Sequence, residues 1–281
     1  MVKIITDSTS DLGKELYEKY DIEMLPLYVN FKDKSYKDQL EMTTEGLYQE
    51  VDKVGELPKT AAVTIGDFVN SFKVWLDKGY EIIFTGISAQ MSSTLNNAVV
   101  ASRELEAEDR VFCVDSKNLS TGISLLLLKA CHDRDLGLPA KKIAENMEIY
   151  REKIKTQFAI ETMEYLYKGG RCSGIARILG TVLKIKPIIA VRDGKMIVAE
   201  KPIGKMKVAL DRMIKQILAD KDNLDGGVVF ITHSIAYESE KYIRNILEKE
   251  LNNVEIITTL AGCTISSHCG PGCIGILYIT K

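Results

Sequence analysis

Four short polar segments carry the side chains from which this chain could build a binding site or a reaction centre. The first is Asp7-Ser8-Thr9-Ser10-Asp11, which directly follows the apolar run Val2-Lys3-Ile4-Ile5-Thr6. The others are Lys59-Thr60 with Thr64, the segment Ser88-Ala89-Gln90-Met91-Ser92-Ser93-Thr94, and His268 beside Gly270-Pro271-Gly272. Three of the four are rich in small hydroxyls with no strong base nearby, and such groups suit hydrogen bonding to a carboxylate or phosphate better than covalent attack. Ser92, Ser93 and Thr94 also precede a helical pattern, whose free N–H groups and positive dipole end favour an anion. Local chemistry therefore points to an anionic head group there, with plain helix capping as the competing reading.

The Asp7 segment reads as a buried strand emptying into a polar turn. Thr9, Ser10 and Asp11 are good N-caps for a helix carrying Leu12, Leu16 and Tyr20 on one face. In an open α/β sheet such a turn lies at the carboxyl end of a strand, where ligands bind. The alternative function, a phosphotransferase or hydrolase using Asp7 at a metal or phosphate site, lacks a G-x-x-x-x-G-K loop after the first strand. The group Cys263, His268, Cys269 and Cys273 invites a metal reading, yet it has no C-x-x-C knuckle and Gly270-Pro271-Gly272 runs through it. No metal is expected.

Alternating elements must position these groups. Helical periodicity marks residues 43–54, 67–78 and 94–105, and apolar runs of strand length occupy 80–84 and 110–114. This part reads as a mostly parallel βα sheet. A helix over 121–136 follows, then one opened by Pro139 that carries Ile143, Met147, Tyr150 and Ile154. Beyond Lys155 the rhythm changes. Residues 158–161 read as a strand, Lys168-Gly169-Gly170-Arg171 as a loop, and 175–182 as a short helix. Asp193-Gly194 between the apolar runs 187–191 and 195–200 is a strong hairpin signal and implies a mixed sheet. Two βα pairs follow: a helix over 208–218 leads to a strand over 228–232, and one over 236–251 leads to a strand over 254–260. A last strand occupies 273–280. The expected organisation is α/β with two domains, residues 1–155 and 156–281.

Composition excludes several function classes. Hydrophobic residues make up 46% and charged residues 27% of 281, ordinary values for a globular protein with room for one large or two medium cores. A net charge of -2 gives no electrostatic case for a nucleic-acid partner. No segment approaches a membrane span, since the run Leu125 to Leu128 is stopped by Lys129, and nothing at the start resembles a signal peptide. Six cysteines without a paired framework suggest reduced thiols and a cytoplasmic location.

Six segments, in register over residues 3–280, resemble the DegV family. They are Asp7-Ser8-Thr9-Ser10-Asp11, Lys59-Thr60, Met91-Ser92 with Thr94, Val114-Asp115-Ser116 with Ser120 and Gly122, Glu164-Tyr165-Leu166 with Lys168-Gly169-Gly170-Arg171, and His268 with Gly270-Pro271-Gly272 and Gly275. The resemblance implies a non-enzymatic two-domain carrier with a Rossmann-like N-terminal domain and a mixed-sheet C-terminal domain. A long-chain fatty acid would lie in an apolar tunnel with its carboxylate against hydroxyls, and a fatty acid kinase would phosphorylate the presented acid. Thr60 and Ser92 match the family's carboxylate ligands. In the resemblance His268 supports the head-group network, Arg171 neutralises the head group or meets the kinase, and Ser93 and Thr94 are expected in the same network beside Ser92. No cofactor is implied beyond the acid itself, and exchange of that acid implies transient membrane contact.

The chain departs from the family pattern at Thr60-Ala61-Ala62-Val63-Thr64, where Thr-Ser-Gln-Pro-Ser is usual, and at Ser93, where a glycine is usual. Ile203 stands where an arginine is common. The first two departures touch the pocket and so the acyl preference; the third touches docking to a kinase.

Overall fold

A computed structural model describes residues 1–32, 34–178 and 184–281. The chain opens with β1 (Val2–Asp7), α1 (Lys14–Lys19), β2 (Ile22–Leu25), β3 (Tyr28–Phe31), β4 (Lys34–Lys37), α2 (Thr44–Val54) and β5 (Lys59–Ala61). It continues through α3 (Ile65–Asp77), β6 (Glu81–Gly86), α4 (Thr94–Glu104), β7 (Val111–Asp115), α5 (Thr121–Asp135) and α6 (Ala140–Tyr150). Then come β8 (Ile154–Ala159), α7 (Glu164–Gly169), β9 (Cys172–Ser173), β10 (Ile188–Arg192), β11 (Lys195–Glu200) and α8 (Met206–Ala219). The final elements are β12 (Val228–Ser234), α9 (Tyr237–Glu250), β13 (Glu255–Leu260), α10 (Cys263–Cys269) and β14 (Cys273–Ile279).

The fold is α/β. The first sheet has the order β2-β1-β6-β7, and all its pairs are parallel. Its central strands are apolar on both faces because helices cover both: Ile5, Ile82 and Phe84 pack with Phe68, Phe72 and Ala98 of α3 and α4, while Ile4 and Ile83 meet Ile123 and Met147 of α5 and α6. The second sheet, β13-β12-β14-β8-β10-β11-β9, is mixed, with β10 and β11 forming the antiparallel hairpin read from Asp193-Gly194. Both turn residues have positive φ, 49° and 76°, as a two-residue hairpin of the primed type requires.

Helix α5 joins the two sheets. It touches β1 and β6 of the first and β8, β12 and β14 of the second, and Ile123, Leu125, Leu126, Leu127 and Ala130 are all buried. Its first two turns, Thr121 to Leu127, are buried on every side, as packing against two sheets at once requires. One hydrophobic cluster consequently runs from Ile4 and Ile83 through α5 to Phe158, Phe230 and Leu277.

Local details differ from the sequence reading for identifiable reasons. The helix expected to reach Ile154 ends at Tyr150, because Ile154 is buried as a strand residue opposite Ile279. Lys168 and Gly169, expected in a loop, complete α7, which ends on Gly170 in the left-handed region at φ 67°. Of the helix expected over 175–182, Ile175–Arg177 form a single 3-10 turn, and 179–182 lie outside the described residues. The strands β3, β4 and β5 form a small separate sheet that no apolar alternation announces.

Candidate functional site

The Asp7 segment does not cap the helix that follows it. Helix α1 begins only after Gly13, and Asp11 takes φ 51°, which turns its side chain elsewhere. Asp7 is fully buried, and both its oxygens are occupied. Oδ1 accepts from the N–H and hydroxyl of Thr9, and Oδ2 accepts from the Ile87 N–H at 2.9 Å. A Cβ at Gly86 would sit 2.1 Å from Asp7 Oδ2, so only glycine allows the approach. Burial raises the Asp7 carboxyl to about 6. The segment thus fixes the Ile87 backbone and holds no vacant carboxylate oxygen for a metal or phosphoryl group.

Asp11 and Asp38 reach across to the other half of the chain. Asp11 Oδ1 accepts from the Gly262 N–H at 2.8 Å and Oδ2 from the Ser120 hydroxyl at 2.6 Å. Asp38 accepts from the N–H groups of Cys263 at 2.7 Å and Thr264 at 3.2 Å, and from Ser8 Oγ at 2.9 Å. These acids satisfy the free donors at the start of α10, and helix dipole and hydrogen bonds act together there. Asp38 carried no sequence signal, because the two backbone N–H groups it holds lie more than 200 residues away.

Helix α10 in turn delivers His268 to Thr60. The His268 Nε2 lies 2.9 Å from Thr60 Oγ1. Nδ1 is enclosed, has no hydrogen-bond partner, and faces Gly169, where a Cβ would come within 2.3 Å of it. Burial, with a smaller push from the Arg171 cation, lowers the imidazole to about 4, so the ring is neutral at pH 7. An enclosed N–H without an acceptor is rarer than an enclosed acceptor without a donor, so the ring proton is assigned to Nε2. It then donates to Thr60 Oγ1, which leaves the Thr60 O–H free to donate to a ligand.

A cavity of about 330 Å³ opens at this pair. This is within the roughly 300–1,000 Å³ of small-molecule sites. Thr60, Ser92, Ser93, Arg171 and His268 supply its polar wall, and Leu27, Ile87, Met91, Leu119, Met196 and Ile265 its apolar wall. Thr94 does not line it but supports it: its hydroxyl lies 2.9 Å from Ser92 Oγ and its N–H donates to the same oxygen at 3.3 Å. Arg171 is exposed, and its guanidinium donates to the Gly169 carbonyl at 2.7 Å, without an acidic partner among the described residues. A narrow second hollow shares Leu119, Ile265 and Cys269 with the cavity and continues among Phe158, Cys273 and Leu277. Apart from Met91, the apolar wall residues, drawn from both halves of the chain, were not singled out in the sequence, since single apolar positions there look like any other core.

Among the described residues no cluster of His, Cys, Asp and Glu could hold a metal ion, and no helix is long and apolar enough to cross a membrane. The described cysteines are free thiols.

Residues 1–281 match the family described as "Uncharacterised protein, DegV family". The chain belongs to the DegV family. A DegV domain-containing protein of Clostridium perfringens is 33% identical over 284 residues, covering 100% of this chain and 99% of that one. The solved structure describing fatty acid binding by a DegV family protein from Thermus thermophilus superposes with a TM-score of 0.92 at 27% identity, over 100% of this chain and 99% of the other. That of DegV from Bacillus subtilis, described as a fatty acid binding protein, gives 0.88 at 27% identity over 100% and 99%. This α/β arrangement of a parallel and a mixed sheet, with the small sheet of β3 to β5 beside them, is therefore the DegV fold.

Proposed function

We propose that this DegV protein binds a long-chain fatty acid and carries it without chemically transforming it. The observation that carries this reading is the cavity itself, polar at Thr60, Ser92, Arg171 and His268 and apolar at Ile87, Met91, Leu119 and Ile265. The fatty acid binding described for relatives of the same fold supports it. A carboxylate fits the polar end because it accepts hydrogen bonds and donates none. The free O–H of Thr60 and the Ser92 hydroxyl donate to it, with Arg171 beside them as a counter-charge. Ser93 and Thr94 complete the head-group surroundings at the start of α4.

Affinity comes from the tail. Each buried CH₂ contributes about 0.8 kcal/mol, so a long chain outweighs the head group. In this reading residues 1–155 bring the hydroxyls of Thr60 and Ser92 to the head group, and residues 156–281 add Arg171 and His268 and complete the tunnel through the hollow beyond Cys269. The carboxylate, held by hydroxyls, stays anionic and nucleophilic. In the cytoplasm a fatty acid kinase would then transfer a phosphoryl group to the presented carboxylate, with transient contact to a membrane for exchange of the acid.

Native mass spectrometry of the purified protein tests this directly. A co-purified or readily loaded long-chain acid is the expected result. Protein that is lipid-free and takes up no acid on incubation overturns the reading.

A further inference from the structure

A separate cavity of about 380 Å³ lies where β8 and β10 meet the segment after β7. It shares no wall residue with the cavity at Thr60 and His268, and only Thr156 with the narrow hollow beyond it. Its charged wall consists of Lys117, Arg151, Lys155 and Arg192 against Glu152 and Asp193, leaving two positive charges in excess. Glu152 is already engaged by Lys117 at 2.7 Å and by Arg151 at 3.3 Å. Lys155 and Arg192 have no acidic partner among the described residues.

Strand register explains why these two cations stand together. Gln157 of β8 lies opposite Ala190 of the antiparallel strand β10. Residues two apart on a strand share a face, so Lys155 and Arg192 stand on the face of Gln157 and Ala190. The same register continued by two residues sets Lys155 opposite Arg192. Like charges directly opposite one another destabilise a sheet unless something neutralises them.

Gln157 supplies an independent observation. Its side chain is in the cavity wall and only 2% exposed. Nε2 donates to the Met213 carbonyl of α8 at 3.0 Å. A carbonyl can only accept, so the amide orientation is fixed and Oε1 is the atom left over. Oε1 has no partner. An enclosed amide oxygen without a donor costs free energy until one meets it. Beside it, the short side chain of Ala190 leaves room on the strand surface.

We propose that this cavity binds a phosphate monoester of a polar body. Its phosphate sits between Lys155 and Arg192, and a hydroxyl or amino group donates to Gln157 Oε1. A monoester carries a charge of about -1.5 to -2 at pH 7, which matches the excess of the wall. Two residues along a strand span about 7 Å, so the donor group lies about that far from the phosphate. Sugar phosphates and nucleoside monophosphates both meet this description. Carboxylic acids with a long apolar tail do not.

The test titrates the full-length protein with glucose 6-phosphate, adenosine monophosphate and inorganic phosphate by calorimetry, and follows the Gln157 side-chain amide by NMR. At least one ester should bind tenfold or more tightly than inorganic phosphate and shift that amide signal; which ester does so distinguishes the two sources. The exposed double variant Lys155→Gln with Arg192→Gln should weaken the ester about 30-fold. Gln157→Leu should bring the ester down to the affinity of inorganic phosphate. Hexadecanoic acid binding should be unchanged in the exposed double variant. Esters that bind no better than inorganic phosphate, or ester binding that survives loss of both cations, overturn the proposal.

Discussion

Asp38 and Cys263 stand 225 residues apart in the chain and are joined by a 2.7 Å hydrogen bond, the Cys263 N–H donating to Asp38 Oδ1. Asp11 does the same for Gly262, and both carboxyls are raised by burial. The helix they hold carries Ile265 and His268 into the cavity wall. The cavity wall at Thr60 and His268 is therefore positioned by acids that do not line it.

Asp38→Ala should cost about 3 kcal/mol, since it strips an acceptor from the Cys263, Thr264 and Ser8 donors inside the fold. Urea unfolding measures it. Ser8→Ala keeps the two backbone bonds to Asp38 but also takes the acceptor from the Leu27 N–H, so it should cost about 1–2 kcal/mol, still less than Asp38→Ala.

Thr60→Val and Ser92→Ala should each weaken fatty-acid binding about tenfold, because each removes one hydrogen bond to a charged group. Stability of the ligand-free protein should move by less than about 1 kcal/mol, as both residues are only partly buried. Fluorescent fatty-acid displacement reads the first effect and thermal unfolding the second. Unchanged binding in the double variant would place the carboxylate elsewhere.

Gly169→Ala places a methyl group 2.3 Å from His268 Nδ1. The ring must move, and the Thr60 contact goes with it. Affinity for the acid should fall about tenfold while α7, which gains helix propensity, is retained. A crystal structure of the variant with Thr60 and His268 still 2.9 Å apart would contradict this.

The pH dependence of stability isolates His268. Its folded value near 4 lies below the ordinary 6.5, so between these the unfolded chain binds the extra proton and the folded chain does not. Stability contributed by this group is therefore full above about 6.5 and is lost as pH falls towards about 4. Relative to His268→Gln, the wild type should lose about 3 kcal/mol across that window, from about 1.4 kcal/mol per pH unit. Asp7, raised to about 6, acts with the opposite sign over part of the same range, so the comparison with the variant is the informative measurement.

Much of the fold was legible because its signals are local. The Asp193-Gly194 turn, the apolar strands β1 and β6, and the periodic helices α2, α3 and α4 each state their type within a dozen residues. Strands β3 to β5 escaped notice because three or four residues with a polar edge carry no readable alternation. Helix α10 escaped for another reason: at seven residues, rich in serine, threonine and cysteine, it is a poor helix by propensity. Its start is made by Asp11 and Asp38.

The sequence by itself determined the alternation of the longer strands and helices, the mixed second sheet and the family, together with the residue types proposed for the head group at Thr60, Ser92 and His268. Hydrophobic periodicity and turn chemistry are properties of neighbouring residues, so they survive without a structure. Only the tertiary structure decided that Asp7 is a sealed scaffold residue, that Asp38 belongs to the site's support, and that Gln157, Lys155 and Arg192 share a cavity. Those facts depend on burial and on partners from distant strands. A carboxylate in the sequence looks the same whether its oxygens will meet water, a ligand or the backbone of a helix 225 residues away.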